Sequence, residues 1–504
     1  MTLVLASIAI ALGTFMQVLD STIANVSIPT IAGDLGVSFN QGAWVITSFA
    51  VSNGISVPLT GWLVQRFGVV RTFVTSVLLF TLMSLLCGLA WNIESLVIFR
   101  VLQGAVSGPM IPGSQALLIM IFGRQRQASA LAIWSMTALV APVAGPILGG
   151  YISDNIAWEW IFLINVPVGL ACAFICWAML RDRETPSVKL PIDVIGFALL
   201  VVWVGVFQVM LDTGHDADWF NSPWIVIALI ISVIGFIAWV IWETHEKHPI
   251  VDLSLFKSRN FSIGVIAICT AYAVFFANTL LLPLWLQTEM GYTAFWAGLI
   301  SAPTGLIAIM LTPFVARLIG TVDARWIATA TLAVFGVSFM MRAFYAPDGD
   351  FAEFVLPMLI QGIGMSGFFI SLTSIAFAEV SGPQIAAASG LSNFARIVSG
   401  AFSASVVTTI WERGAAEHQT RVAEVTGRPG SANWEAAMQE LQRHGASAQE
   451  AFATLVAEVS HQATFLAALD IFRISAFMTG FLVLLVWLTR RPKPQADAAH
   501  AVGE

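Results

Sequence analysis

Charge is what this chain has least of. Asp, Glu, Lys and Arg together supply 11% of its 504 residues, where an ordinary soluble domain has about a quarter, and that scarcity excludes a water-soluble globular protein. Cysteine is sparse as well. Cys87, Cys172, Cys176 and Cys269 all fall in apolar stretches, where thiols pack as small hydrophobes. No disulfide is expected, and no metal site, because Cys172 and Cys176 share a helix face without a His or an acid beside them. No Gly-Lys pair occurs, so the phosphate-cradling loop of a nucleotide-driven pump is missing, and any pumping must draw on an ion gradient or another chain. No cofactor is implied. The net charge of −7 is spread over both faces without a block of like charge, which gives no footing for nucleic acid. No nucleophile, base and oxyanion donors assemble in the sequence, so no enzyme is expected.

Apolar sequence is what the chain has in excess, with 58% hydrophobic residues and a mean hydropathy of +0.83. One bilayer crossing needs about 20 mostly apolar residues, and the chain offers about fourteen such stretches, which predicts an all-α membrane protein. An even count places both termini on one side. The apolar start, residues 3–19, lacks a basic beginning and a small-residue cleavage site, so it reads as a permanent span and not a signal peptide. Most of the 23 Lys and Arg, including Arg66, Arg71, Arg181, Arg183, Lys257, Arg259, Arg325 and Arg490, fall on one side. The positive-inside rule makes that side the cytoplasm.

Residues 1–180 carry six spans, 181–261 two more with their linkers, and 262–489 a last six that include a long outer loop, 411–470; the tail 490–504 reads as disordered. A faint repeat joins the two six-span blocks. Leu102-Gln103-Gly104 recurs as Ile360-Gln361-Gly362, and Ile28-Pro29 with Leu35-Gly36-Val37-Ser38 is echoed by Leu282-Pro283 with Met290-Gly291-Tyr292-Thr293. Paired six-helix halves are the build of alternating-access carriers, with a site near the midplane between them. Arg100 has Met358 as its counterpart, so charged chemistry is expected in the first half alone.

A charge at mid-membrane costs at least about 2.5–3.5 kcal/mol and faces a cavity or a partner. Asp20 and Arg100 stand roughly 13 and 9 Å below the outer surface at 1.5 Å per helical residue, so the two are expected to approach each other. Asp20 is a candidate proton carrier, with Arg100 lowering its affinity for a proton and burial raising it. The alternative is a static ion pair, or a carboxylate bound to Thr22 and Asn25. Gln103, Gln361 and Arg396 are further cavity or substrate candidates, Arg396 lying midway along its span with no acid nearby in sequence. Asp212 and His215 read as solvated rim residues.

Ala141 to Tyr151, APVAGPILGGY, sits inside a stretch otherwise suited to crossing a bilayer as a helix. Its prolines and glycines predict a bent helix packed tightly on a neighbour through its small-residue face. Pro142, Gly145, Pro146, Gly149 and Gly150 resemble the antiporter motif of the fifth helix of major facilitator exporters. LDSTIANVSIP (19–29), GWLVQRFGVVR (61–71), FRVLQG (99–104), WEWIFLINVPVG (158–169) and PIVDLSLFKSRNF (249–261) add further resemblances in register. Together they are similar to the fourteen-span drug:proton antiporters of the major facilitator superfamily, in the EmrB-like branch. The resemblance implies the major facilitator fold, two six-helix bundles plus two inserted helices. It implies proton-coupled export of hydrophobic drugs or toxic small molecules across a bacterial inner membrane, with Asp20 and Arg100 in proton coupling. It also implies a periplasmic adaptor and an outer-membrane channel as partners. One position departs from the pattern: Gln65 stands where the loop motif usually carries an Asp that latches the halves together, while Gly61, Arg66, Gly68 and Arg71 remain.

In the outer loop, Met438 and Leu441, then Phe452, Leu455, Val456 and Val459, fall at helical spacing and predict two short amphipathic helices. They would either dock an adaptor or pack on each other. The Trp, Phe and Met content suits varied hydrophobic compounds, and the resemblance implies that they are neutral or weakly acidic. A specific physiological metabolite as cargo, or a non-transporting sensor or scaffold, stays open.

Overall fold

Helices apolar on every side hold together only in lipid or deep in a core, and backbone groups inside a bilayer must be satisfied within the segment, which leaves helices as the element for these sequences. A computed structural model describes residues 2–491 apart from 38, 124–125, 189–190, 215–216, 320, 348, 382–383 and 427–430, and among the described residues it has helices and no strands. The tail beyond 491, His215 and the side chains of Asn25 and Pro146 lie outside what is described.

Fourteen helical spans follow in order, twelve of them long and apolar enough to cross a membrane among the described residues. The second span, broken into Phe39–Ser56, Val57–Leu59 and Thr60–Phe67, and the fifth, Gln127–Asn155, complete the set. The first half comprises Thr2–Asp34, the second span, Val69–Gly88, Ile93–Ser107 continued by Met110–Phe122, the fifth span, and Trp160–Leu163 continued by Asn165–Leu180. The inserted pair is Val194–Gly214 and Pro223–His245. The second half comprises Arg259–Thr288, Ala294–Ile319, Ala324–Arg342, Phe351–Ala376, Ile385–Thr426 and Ala448–Trp487. The fourth span breaks at Gly108-Pro109, where proline interrupts the hydrogen-bond ladder. Polar caps start several spans: Asn92 and Ser95 form a capping box on the fourth, and Ser258 and Asp323 cap the ninth and eleventh.

The buried apolar core divides by depth. One cluster runs through both halves on the side that carries the chain termini, from Ala6 and Phe73 to Phe368, Ala388 and Val486. Toward the opposite face the halves have separate clusters, around Ile23, Val45 and Trp158 in the first and around Trp285, Tyr345 and Phe472 in the second. The eighth span exposes Ile227, Ile230, Ile234, Ile237 and Ile241, an apolar face of the kind lipid covers.

The outer loop differs from the expected pair of short helices. The thirteenth and fourteenth spans themselves run on, as unbroken helices of 42 and 40 residues, about 60 Å each and twice a bilayer core. One short helix, Ala432–Arg443, lies between them. Its Trp434 meets Phe452 edge-on at 5.8 Å, so the apolar stripes partly cover each other, while Phe452 and Val456 stay 45% and 39% exposed. Trp411 Nε1 donates to the Thr464 carbonyl at 3.0 Å and His418 contacts Asp470 at 2.7 Å, tying the two long helices side by side. The signal for continuation was weak because polar residues in this stretch obscure the helical period.

Candidate functional site: a buried ion pair between helices

Asp20 and Arg100 meet in the first half. Arg100 Nη1 lies 2.5 Å from Asp20 Oδ2, and both residues are fully buried. Four helices build the site. The first span supplies Asp20, the fourth Arg100 and Gln103, the sixth Asn165, and the second the Val45 carbonyl and the Phe49 ring. Asp20 Oδ1 accepts from Asn165 Nδ2 at 3.0 Å and from Gln103 Nε2 at 3.2 Å. Asn165 Nδ2 also reaches Ser84 Oγ at 3.0 Å. The carboxylate is thus held by three side chains from two other helices. Thr22 is not among them; its hydroxyl donates to the Val18 and Leu19 carbonyls of its own helix, as a Thr hydroxyl in an apolar span does when no closer acceptor is free.

Arg100 has acceptors besides the carboxylate. Its Nη1 also donates to Gln103 Oε1 at 2.7 Å and its Nε to the Val45 carbonyl at 3.0 Å, and its guanidinium lies 4.2 Å from the Phe49 ring centroid and 5.4 Å from that of Phe162. Nη2 alone is buried without a partner. A cation supported by carbonyls and ring faces stays solvated by the protein when its carboxylate is neutralised. Arg100 therefore keeps acceptors that do not depend on the carboxylate.

The glycine-rich fifth span packs on this site. A Cβ added to Gly145 would sit 2.2 Å from Thr22 Oγ1, so the fifth and first spans touch backbone to side chain two residues from Asp20. Gly149 is buried, Gly150 half-buried and Pro142 exposed. The tight contact expected of the motif is present, and its neighbour is the helix that carries the carboxylate.

Besides Arg396, the second half also holds a fully buried arginine, which the expectation of charged chemistry in the first half alone did not include. Arg342, at the end of the eleventh span, is buried and donates through Nη2 to Gln361 Oε1, with Ser338 Oγ at 3.4 Å and Met358 Sδ at 3.5 Å. Met358 leaves the position of Arg100 apolar, and a neighbouring helix supplies the cation to the repeated glutamine. Sequence reading missed it because Arg342 sits at a span end, where a cation is cheap. It also passed over Asn165, whose one signal was an amide inside an apolar motif.

Arg396 is half-buried on the thirteenth span. It donates to Asn393 Oδ1 at 2.9 Å and lies over the rings of Tyr272 at 4.7 Å and Phe369 at 5.6 Å, with no described carboxylate within ion-pair distance. One turn away Asn393 Nδ2 reaches Gln115 Oε1 of the first half at 3.3 Å, and Ser389 donates to the same oxygen. Trp134 of the fifth span meets Phe369 edge-on at 5.9 Å. These contacts, with Gly61 packed so that an added Cβ would lie 3.0 Å from that of Ala387, close the halves together on the terminal side.

The loop motif makes a local structure. Glu184 accepts from the amides of Val70 and Arg71 at 2.9 and 2.8 Å, capping the third span, and Gly68, at φ 91°, turns the chain beneath it. Gln65 contributes its carbonyl to the Val188 amide. Arg66 stacks on Trp62 at 5.5 Å, and Arg71 contributes its amide to the Glu184 cap. Asp212 hydrogen-bonds Gln208 at 3.3 Å near the outer surface.

A helical carrier of two six-span halves around a buried carboxylate is a secondary transporter by build, and the sequence agrees: the Major Facilitator Superfamily matches residues 10–404, and the chain belongs to it. Within that superfamily it is closely similar to proteins named for multidrug export, of which EmrB is one. It is 45% identical to the multidrug export protein EmrB of Haemophilus influenzae over 97% of this chain and 96% of that one. It is 43% identical to the fatty acid resistance protein FarB of Neisseria gonorrhoeae over 98% and 97%. The same fold is seen in the human organic anion transporter MFSD10, at a TM-score of 0.58 and 13% identity over 95% of this chain and 99% of that one.

Proposed function

We propose that the protein exports hydrophobic small molecules from the cytoplasm across a bacterial inner membrane in exchange for protons, by alternating access. The observation that carries this reading is the buried set Asp20, Arg100, Gln103 and Asn165, in which the carboxylate can gain and lose a proton while Arg100 keeps other acceptors. Closure on the terminal side, with separate apolar clusters on the other, fits a carrier open toward the outside, where Asp20 would take up its proton. The basic residues of the terminal side support its assignment to the cytoplasm. Gly145, packed against Thr22, transmits movement of the fifth span to the helix of Asp20. Arg396 and its aromatic neighbours supply a cationic and apolar wall for substrate. The projecting hairpin of the thirteenth and fourteenth spans is the surface for a periplasmic adaptor that leads to an outer-membrane channel.

The test is drug-driven proton flux in vesicles containing the purified protein, with Asp20→Asn beside the parent. Drug should release protons in the parent and not in the variant, while both bind drug. Equal exchange by the variant would remove Asp20 from coupling, and absence of flux in both would overturn the exporter reading.

A further inference from the structure

A second buried carboxyl group lies in the inserted pair, where no motif pointed. Glu243, in the last turn of the eighth span, is 3% exposed, and Asp193, just before the seventh, is 9% exposed. A Cβ built on Gly196 would lie 2.2 Å from Asp193 Oδ2 and 2.9 Å from Glu243 Oε1, so these two oxygens are at most about 5 Å apart, and glycine alone leaves them that room.

The two carboxyls are treated unequally. Asp193 accepts from the Gly196 amide at 2.9 Å and from Trp242 Nε1 at 3.0 and 2.9 Å, and it caps the start of the seventh span, where a negative charge is favoured. Glu243 is held more loosely: Oε2 accepts from the Val251 amide at 3.3 Å, the Ile250 amide and the Trp239 indole also lie toward the carboxyl, and the buried Oε1 meets no donor in good hydrogen-bond geometry. The neighbouring charged and titratable groups are engaged elsewhere. His245 bonds the Ile241 carbonyl, Glu246 accepts from the amides of Lys247 and His248, and Asp252 accepts from Ser254. Among the described residues no cation pairs with either carboxyl. Two like charges this close in a buried site disfavour each other, so one of the two carboxyls is driven toward its neutral form.

We propose that Glu243 binds a proton at neutral pH beside an ionised Asp193, giving the inserted pair a proton site of its own, separate from Asp20. The proton resides on Oε1, the oxygen without a donor in good hydrogen-bond geometry, while Oε2 keeps the Val251 amide. Occupancy is thereby tied to docking of the connector that leads from the eighth span into the second half.

Infrared difference spectroscopy on the full-length protein in lipid, parent minus Glu243→Gln, tests this between about pH 5 and 9. The parent should show at pH 7 a carboxylic C=O band that Glu243→Gln lacks. Asp193→Asn, which removes the neighbouring charge and keeps an oxygen for Trp242, should lower the midpoint of that band by at least about one pH unit. A difference spectrum at pH 7 containing only carboxylate bands would overturn the proposal, as would a midpoint unmoved by Asp193→Asn. If Asp193→Asn does not fold, the parent and Glu243→Gln spectra alone decide whether the proton is there.

Discussion

Arg342 of the eleventh span donates to Gln361 of the twelfth, whereas in the first half Arg100 and Gln103 meet along one helix. The repeated glutamine has kept a buried arginine in both halves, but the cation arrives from different helices. The two halves also differ in what opposes the charge. Arg100 has Asp20, while Arg342 has an amide oxygen, a thioether and the rings of Phe339 and Phe472 at 5.2 and 5.9 Å. A fixed cation without a carboxylate has nothing to titrate, so the second half is suited to a constant electrostatic role.

Arg342→Met should lower thermal stability, because it leaves Gln361 Oε1 buried without its donor, at about 1–3 kcal/mol. Gln361→Leu in the same chain should restore part of the loss by removing both partners. Unfolding midpoints in detergent for the two single variants and the double variant give the coupling; additive losses would mean the contact contributes nothing.

Gln115 and Ser389, one from each half and hydrogen-bonded in this arrangement, should form a disulfide when both are replaced by Cys and oxidised. The bridge should stop substrate export, and a reductant should restore it. The reading is export by the same vesicles before and after reduction, and undiminished export by the bridged protein would mean that this contact need not open.

Gly145→Ala should cost about 1–3 kcal/mol through overpacking against Thr22, and it should slow export by more than it lowers expression. Thr22→Ala should give back part of the rate, since it removes the oxygen nearest the added methyl. Export rates normalised to folded protein separate this from a loss of yield.

At the start of the eleventh span, burial pushes the Asp323 carboxyl up, but hydrogen bonds from the Arg325 side chain and amide and the charges of Arg325 and Arg491 outweigh it and hold its pKa below the ordinary value. A depressed folded-state pKa stabilises above the unfolded value of about 3.9 and is lost as pH falls through the folded one. Asp323→Asn should therefore be less stable than the parent at pH 7, and the difference should shrink below about pH 4. Unfolding midpoints at both pH values measure it, and a gap that does not change with pH would contradict the assignment.

Much of this was legible in sequence because lipid simplifies the code. Spans read as apolar runs, and a charge inside one is rare enough to mark itself, which is why Asp20 and Arg100 could be singled out from helical rise alone. Residues whose role depends on a neighbouring helix were not legible. Asn165 carries an ordinary amide in an apolar segment, Arg342 sits where a span end makes charge cheap, and Glu243 lies a few residues from a polar loop. Each becomes notable only once packing shows what surrounds it. The outer hairpin escaped for the opposite reason: its helices continue the spans, but the polar surface they acquire outside the membrane hides that continuity.

The unbroken length of the thirteenth and fourteenth spans gives the molecule a rigid mast. Side-by-side ties at Trp411–Thr464 and His418–Asp470 brace it, and no break separates its shaft from the helices that line the second half. Any tilt of that half is consequently magnified with distance along the mast, so a small rearrangement around Arg396 becomes a larger sweep at its tip. A protein seated there would register the phase of the transport cycle mechanically, without touching the cargo.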